Sequence, residues 1–249
     1  MDWTPSTDPM ARRRFRAAVT AAYVCFGVNL LASLGAAIFL EPGSAMHPLD
    51  ERAKYVLERG RDWRWTWAIW MAAAPSLVAF YAAFAWTLAD DLALAKWSAV
   101  AIAAVGSTFD VYAEVLLAFE LPKLYATLPP GTSERALLQM KEAEPVLRLE
   151  GRATLLTGAL ANGLYTLAGA MIAACAAQTA GFPRWLAWAS APAWILGAAL
   201  SASCLLFMPR ATAVTMAGTM GAFLLWLALV VVFLWRRAAG RIDTPPKPG

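Results

Sequence analysis

The stretch KWSAVAIAAVGSTFDVYAEVLLAF, residues 96–119, decides the fold of this chain. After Lys96 at its start, its only charged side chains are Asp110 and Glu114. As an α-helix, an apolar stretch of about 20 residues crosses the roughly 30 Å hydrocarbon core of a bilayer. The stretch therefore predicts a transmembrane helix that carries two acids.

The composition of the whole chain agrees with a membrane environment. Hydrophobic residues make up 60% of the 249 residues and charged residues 15%, and the charged residues gather in short segments. The net charge of +4 comes with no basic stripe interleaved with aromatics, which argues against nucleic-acid binding. We expect an all-α membrane protein whose main partner is the lipid bilayer and which binds no nucleic acid.

Five further apolar stretches accompany residues 96–119, and together they predict a six-transmembrane-helix bundle that forms one domain over residues 17–237. Residues 1–16 are predicted to be a polar N-terminal segment and residues 238–249, with three prolines, a disordered tail. The predicted spans are about 17–40, 65–88, 96–119, 153–178, 185–207 and 211–235.

The distribution of basic residues predicts the orientation. Arg12, Arg13, Arg14 and Arg16 directly precede the first predicted span. Because basic residues beside the first span favour the cytoplasmic side, we expect both termini in the cytoplasm. The two longer loops then lie on the outer side, and each holds as many acidic as basic residues.

Both longer loops are expected to contain a short amphipathic helix. In the first loop, apolar positions recur at helical spacing over Leu49–Arg61, with Asp50 as a candidate N-cap. A second helix is predicted over Ser133–Met140. Helices of this kind lie on a membrane surface.

Asp110 and Glu114 form the best candidate site. They are four residues apart, so both carboxyls project from one helix face. An ionised carboxylate at this depth costs on the order of 3 kcal/mol, so each group should be protonated, paired or beside water. The same face carries small or polar residues, which favour the bundle interior: Lys96, Ala99, Ala103, Gly106 and Ser107.

Two interpretations of this face stay open. In the first, the acids bind a proton, a cation or a ligand amine, with further hydrogen bonds from nearby polar residues. In the second, the polar side chains only join the helices of the bundle. The complete set of candidates is Asp110, Glu114, Asn29, Asn162, Tyr112, Tyr165 and Ser107.

No sequence motif predicts a metal or a cofactor. The chain has one histidine, His47, and its three cysteines lie apart in apolar segments, so a zinc or haem site is not expected. Motifs for phosphate binding, dinucleotide binding, zinc-dependent proteolysis and serine hydrolysis are absent from the sequence.

The sequence resembles an uncharacterised bacterial family of small multi-helix membrane proteins. The resemblance depends on the basic lead into the first span, the acid of the third span followed by Glu120-Leu121-Pro122, and the connector GFPRWLAW at residues 181–188. It implies a six-helix architecture in the bacterial cytoplasmic membrane and assigns no activity.

Three classes of function remain. The first is a sensor, regulatory or accessory membrane subunit, which requires no catalytic motif and whose partner would be another membrane subunit or a small ligand. The second is a small proton- or cation-coupled transporter that uses Asp110 and Glu114, with a faint inverted repeat marked by Pro75 and Pro192. The third is an intramembrane enzyme that modifies a lipid or isoprenoid.

Overall fold

The computed structural model describes residues 9–129 and 131–238, and within these ranges all regular structure is helical. Three π-helical turns extend or join the longer helices: Ala36–Leu40 after α1, Leu116–Glu120 after α4 and Leu155–Ala161 between α7 and α8. The α-helices are α1 (Pro9–Gly35), α2 (Leu49–Glu58), α3 (Gly60–Ala85), α4 (Ala93–Val115), α5 (Leu121–Tyr125), α6 (Glu134–Leu137), α7 (Ala143–Thr154), α8 (Asn162–Gln178), α9 (Arg184–Trp188), α10 (Ala191–Leu205) and α11 (Pro209–Ala238).

Within the described residues, six helical segments are long and apolar enough to cross a membrane, which confirms the helical class and the predicted number of candidate spans. This architecture is compatible with a multi-pass membrane protein, because in hydrocarbon only internally hydrogen-bonded helices or closed barrels satisfy the backbone. The segments are Arg12–Gly43, Gly60–Ala85, Asp90–Tyr125, Ala143–Gln178, Arg184–Leu205 and Pro209–Ala238.

Most helices extend beyond the apolar stretches that predict them. α1 already begins at Pro9, inside the segment expected to be a polar lead, and the fourth span begins with α7 at Ala143. Polar residues are good helix formers, so an apolar core does not mark where a helix ends. Residues 1–8 and the predicted disordered tail after Ala238 lie outside the described residues.

The fifth span is interrupted between α9 and α10. The hydroxyl of Ser190 donates to the carbonyl of Ala187 at 2.6 Å, and Pro192 lies in the first turn of α10. Pro75, in contrast, lies inside α3. The two prolines therefore do not occupy equivalent positions, and they give no support to the inverted repeat that the sequence indicated.

The six spans form a closed ring. α1 packs against α3, α3 against α4, α4 against α8, α8 against α10, α10 against α11, and α11 returns to α1. Because consecutive spans run in opposite directions, every neighbouring pair in this ring is antiparallel. One end holds the start of α1 and the end of α11, and we call it the terminal end.

An aromatic core fills the ring toward the terminal end. Phe80 stacks on Phe84 with ring centroids 5.6 Å apart and meets Trp226 edge-on at 6.1 Å. Phe182 joins Phe84 to Phe233 at 5.8 and 5.4 Å. These large side chains leave little free space between the helices at this end.

Glycines permit the close approach of α8 to its two neighbours. A methyl group on Gly169 would overlap the indole of Trp194 on α10, and one on Gly106 of α4 would lie 3.2 Å from the carbonyl oxygen of Ala161. Small residues at such contacts let helix backbones approach one another.

A layer of shorter helices covers the opposite end of the ring. We call α2, α5, α6 and α7 the cap, and their buried apolar residues form a second core with Trp63. α2 ends at Glu58 and not at Arg61, and Pro48 precedes it, so Asp50 lies in its first turn and is not its N-cap. The second predicted loop helix is reduced to the single turn of α6.

The sequence explains where the π-helical turn after α4 ends. Leu121 N–H donates to the carbonyl of Leu116, so the next π-type bond would need an N–H from Pro122, which has none. The carbonyl of Leu117 instead accepts a hydrogen bond from the indole of Trp63 at 2.9 Å. This bond joins the start of α3 to the end of the α4 segment.

We predict that Gly169→Ala lowers the stability of the protein, because overpacking against Trp194 costs about 1–3 kcal/mol. Gly27→Ala is the matched control: nothing lies within 4 Å of its new methyl group, and alanine favours a helix by up to about 1 kcal/mol. Thermal unfolding in detergent, followed by circular dichroism, should give a lower midpoint for Gly169→Ala and an equal or higher one for Gly27→Ala. Equal midpoints for the two variants would contradict the tight α8–α10 contact.

Candidate functional site

A cavity of about 350 Å³ lies inside the ring, between the aromatic core and the cap. Trp194 and Phe223 bound it at the terminal end, and they contact each other and Trp226 with centroids 5.6–6.3 Å apart. All six spans contribute to its wall. The polar residues that line it are Asn29, Ser44, Tyr81, Asp110, Glu150, Thr154, Thr157, Asn162, Tyr165, Thr166, Thr212 and Thr219.

Asp110 lies in this wall and is 7% exposed. One carboxylate oxygen accepts a short hydrogen bond from the hydroxyl of Thr157, and the other accepts one from the hydroxyl of Tyr165 at 3.2 Å. Both donors belong to the fourth span, one on the π-helical turn and one on α8. The two bonds therefore join α4 to the fourth span and stabilise a carboxylate by donation.

Glu114 lies one turn further along α4 and is fully buried. Neither of its carboxyl oxygens has a hydrogen-bond partner among the described residues. The helices packed around this turn of α4 therefore enclose both oxygens without supplying a donor from the described residues.

The two predicted asparagines line the cavity but do not bond to Asp110. Asn29 donates to the carbonyl of Cys25 at 2.9 Å and to Ser76 Oγ at 3.3 Å, which joins α1 to α3. Asn162 donates to the carbonyl of Gly197 at 2.7 Å and to Ser201 Oγ at 2.9 Å, which joins α8 to α10. Their amides hold neighbouring helices around the cavity.

Two other predicted residues lie off the cavity wall. Tyr112 is 46% exposed on the outer face of α4, where the guanidinium of Arg152 lies 5.9 Å from its ring centroid. Ser107 is half-buried beside the phenol of Tyr165. The structure thus brings Asp110, Tyr165, Asn29 and Asn162 to one cavity and leaves Tyr112 outside it.

Sequence reasoning missed Glu150, the second carboxyl in the cavity wall. One oxygen accepts from Arg52 Nη2 at 2.9 Å and the other from the hydroxyl of Tyr125 at 2.6 Å. The side chains of Arg52 and Glu150 are only 6% and 15% exposed. This buried ion pair ties α2 of the cap to α7 of the fourth span.

Aromatic side chains form much of the remaining wall. Tyr81 and Trp67 each carry a buried donor atom, the phenol oxygen and the indole nitrogen, that has no partner among the described residues. Trp67 also meets Trp63 edge-on with centroids 5.8 Å apart. The further aromatic residues of the wall are Trp70, Tyr165, Trp194 and Phe223.

The three π-helical turns all reach the cavity. Leu40, Leu117 and Thr157 each come from one of these turns and each lines the wall. π-Helical turns shift the helix register and frequently occur at functional sites. Here the turn before α8 is the one that carries Thr157, the donor to Asp110.

The described residues contain no group of three or more His, Cys, Asp or Glu side chains that could hold a metal ion.

No protein-family model matches this chain, and no curated protein or solved structure shows significant similarity to it. The family resemblance drawn from the sequence therefore stays a prediction.

We predict that Arg52→Met strongly destabilises the protein, because it leaves the buried carboxylate of Glu150 without its cation. Removing one partner of a buried ion pair costs about 3–5 kcal/mol. Adding Glu150→Gln should restore much of the loss, since no unpaired charge then remains. Thermal unfolding of the single and double variants in detergent measures both effects.

Lys54→Met is the matched control on the same helix, because Lys54 and its partner Glu58 are 75% and 64% exposed. It should leave the unfolding midpoint unchanged. If Arg52→Met behaved like Lys54→Met, the ion pair would not hold α2 against the start of the fourth span.

Proposed function

We propose that the chain is a multi-pass protein of the bacterial cytoplasmic membrane with both termini in the cytoplasm and the cap on the outer side. Arg12, Arg13, Arg14 and Arg16 lie at the terminal end and directly precede the first span, whereas the two longer loops at the cap end each hold as many acidic as basic residues. The first span usually dominates insertion. The positive-inside rule supports this orientation, and lipid is then the partner of the exposed apolar faces.

We infer that the central cavity binds a small ligand and that the protein acts as a sensor, regulatory or accessory membrane subunit. The observation that carries this proposal is Asp110 in the wall of a partly open cavity lined by all six spans. Concave, mostly apolar cavities with a few polar groups are the usual form of small-molecule sites, and those sites often lie between the helices of a bundle.

The surroundings of Asp110 support binding more than simple helix joining. A carboxylate offers about four lone-pair positions, and Thr157 and Tyr165 occupy two of them. The carboxylate also lies at the cavity surface, so its remaining acceptor capacity is open to a ligand. A group that only joined helices would be better placed in the closed contact between them.

A specific observation also favours the second candidate, a small proton- or cation-coupled transporter. Glu114 is fully buried without a partner one turn from Asp110. A buried acid with no partner is most stable when it carries a proton, and two neighbouring acids share protons as a pair. In such a transporter, the present structure is the state closed at the terminal end by the aromatic core. No comparable observation favours an intramembrane enzyme.

We predict that a thermal-shift screen of amphiphilic amines, carboxylic acids and neutral lipids finds at least one class that stabilises the purified protein. Asp110→Asn should reduce this stabilisation by removing the charge from the cavity wall. Met220→Trp should also reduce it by filling the cavity, and this variant keeps Asp110 intact. Stabilisation should survive in Tyr112→Phe, whose side chain lies outside the cavity.

Absence of any stabilising class, or stabilisation that survives in Met220→Trp, would contradict ligand binding in the cavity. The unliganded melting temperatures of all variants show whether each one folds.

For the transporter candidate, we predict that Glu114→Gln abolishes proton movement. The protein is reconstituted in liposomes that contain a pH-sensitive dye, and a compound that stabilises it in the screen is added outside. The wild type should change the internal pH, whereas Glu114→Gln should bind the compound without moving protons. Glu58→Gln, at an exposed position of the cap, is the control. Equal proton movement by Glu114→Gln would exclude this role of Glu114.

A further inference from the structure

The charges of the cavity wall are not balanced. Glu150 is paired with Arg52, which neutralises it. Asp110 has no such partner, because no Lys, Arg or His lines the cavity among the described residues. Its two hydrogen-bond partners, Thr157 and Tyr165, are neutral donors. The wall therefore presents one uncompensated carboxylate to whatever occupies the cavity.

This charge distribution selects against several ligand classes. An anionic ligand such as a fatty acid would find no cation in the wall and would be repelled by Asp110. A bare metal ion would require several oxygen or nitrogen ligands, and the described residues hold no cluster of that kind. A neutral apolar molecule would leave the carboxylate of Asp110 without a positive charge beside it.

The aromatic side chains of the wall suit an organic cation. Trp63, Trp67 and Trp70 on α3 line the cavity together with Tyr165 and Trp194 on the far side of the ring. The faces of such rings attract ammonium groups, most strongly where water is excluded. The rings also provide apolar contact for the rest of the ligand.

A second polar group points to a ligand independently of Asp110. The hydroxyl of Tyr81 is buried, lines the cavity and has no hydrogen-bond partner among the described residues. Buried hydroxyls are rarely left unpaired in folded proteins. A ligand that fills the cavity would offer this hydroxyl either a polar partner or an aromatic or ammonium neighbour.

From these observations we propose that the cavity binds a lipophilic organic monocation, with its ammonium group beside Asp110 and its apolar body against the tryptophans of α3. This inference rests on the proposed ligand-binding function and names the chemical class of the ligand. The volume of about 350 Å³ accommodates a compact amine with a ring or cage skeleton.

Three probes with one skeleton test the charge requirement: 1-adamantanamine, which is a cation at neutral pH, the neutral 1-adamantanol and the anionic 1-adamantanecarboxylate. Binding to the full chain in lipid nanodiscs is measured by isothermal titration calorimetry, with empty nanodiscs as the blank. We expect the amine to bind at least about ten-fold more tightly than the alcohol, and the carboxylate not to bind, because only the amine forms an ion pair with Asp110.

The variants then assign the site. Asp110→Asn should weaken amine binding by at least about ten-fold and change alcohol binding much less, because it removes the charge and keeps the size and one acceptor oxygen of the side chain. Trp67→Leu should weaken amine and alcohol together. Glu58→Gln, which also removes a carboxylate, should change neither. Should Asp110→Asn not fold, Met220→Trp supplies the second test, since it should exclude both the amine and the alcohol.

The outcomes separate this inference from the proposed function. If the alcohol or the carboxylate bound as tightly as the amine, the proposal that the ligand is a cation would be overturned. The proposal that the cavity binds a ligand would remain. Amine binding that is unchanged in Asp110→Asn would also overturn it. If none of the probes binds and the wider amphiphile screen finds only neutral or acidic ligands, the ligand is not a cation. The proposal of ligand binding in the cavity then still stands. If the screen finds nothing, both fail.

Discussion

The hydrogen bonds that Asp110 accepts from Thr157 and Tyr165 are the interaction on which the centre of this bundle depends. A carboxylate in apolar surroundings is tolerated only where donors or a cation reach it. The π-helical turn before α8 places one donor, and the regular helix after it places the other. Because both donors belong to the fourth span, the same bonds that stabilise the charge also fix the contact between α4 and that span.

The number of candidate spans was predictable from the sequence, and so was the helix face that Asp110 and Glu114 share, because both follow from local physics. Long apolar segments form helices in lipid, because only a helix satisfies their backbone hydrogen bonds there. Two residues four positions apart on a helix, such as Asp110 and Glu114, lie on the same face. Helix ends were predicted less well, as α1 and the fourth span show, because polar residues continue a helix beyond its apolar core. Tyr112 lies two residues from Asp110 along α4, so its side chain is on a different side of the helix and faces outward.

Glu150 and Thr157 show why the rest of the site could not be predicted. Glu150 sits in a charged segment that has the composition of a surface loop, and its partners Arg52 and Tyr125 are distant in sequence. Thr157 reaches Asp110 from a π-helical turn, which changes the side on which each residue points and has no simple sequence signal. Both depend on which helices become neighbours in the closed ring, and that arrangement is set by the packing of all six spans.

The two acids of α4 differ in their hydrogen-bond partners. Asp110 accepts from two hydroxyl donors and lines the cavity, whereas Glu114 has no donor among the described residues. One helix face therefore holds a carboxyl group with donors and, one turn away, a carboxyl group without them. Under the proposed function, a cation beside Asp110 would also weaken any repulsion between the two acids, because its charge opposes that of the Asp110 carboxylate. The geometry of a single helix face thus links the two proposals, a cavity that only binds a ligand and one that also transports it.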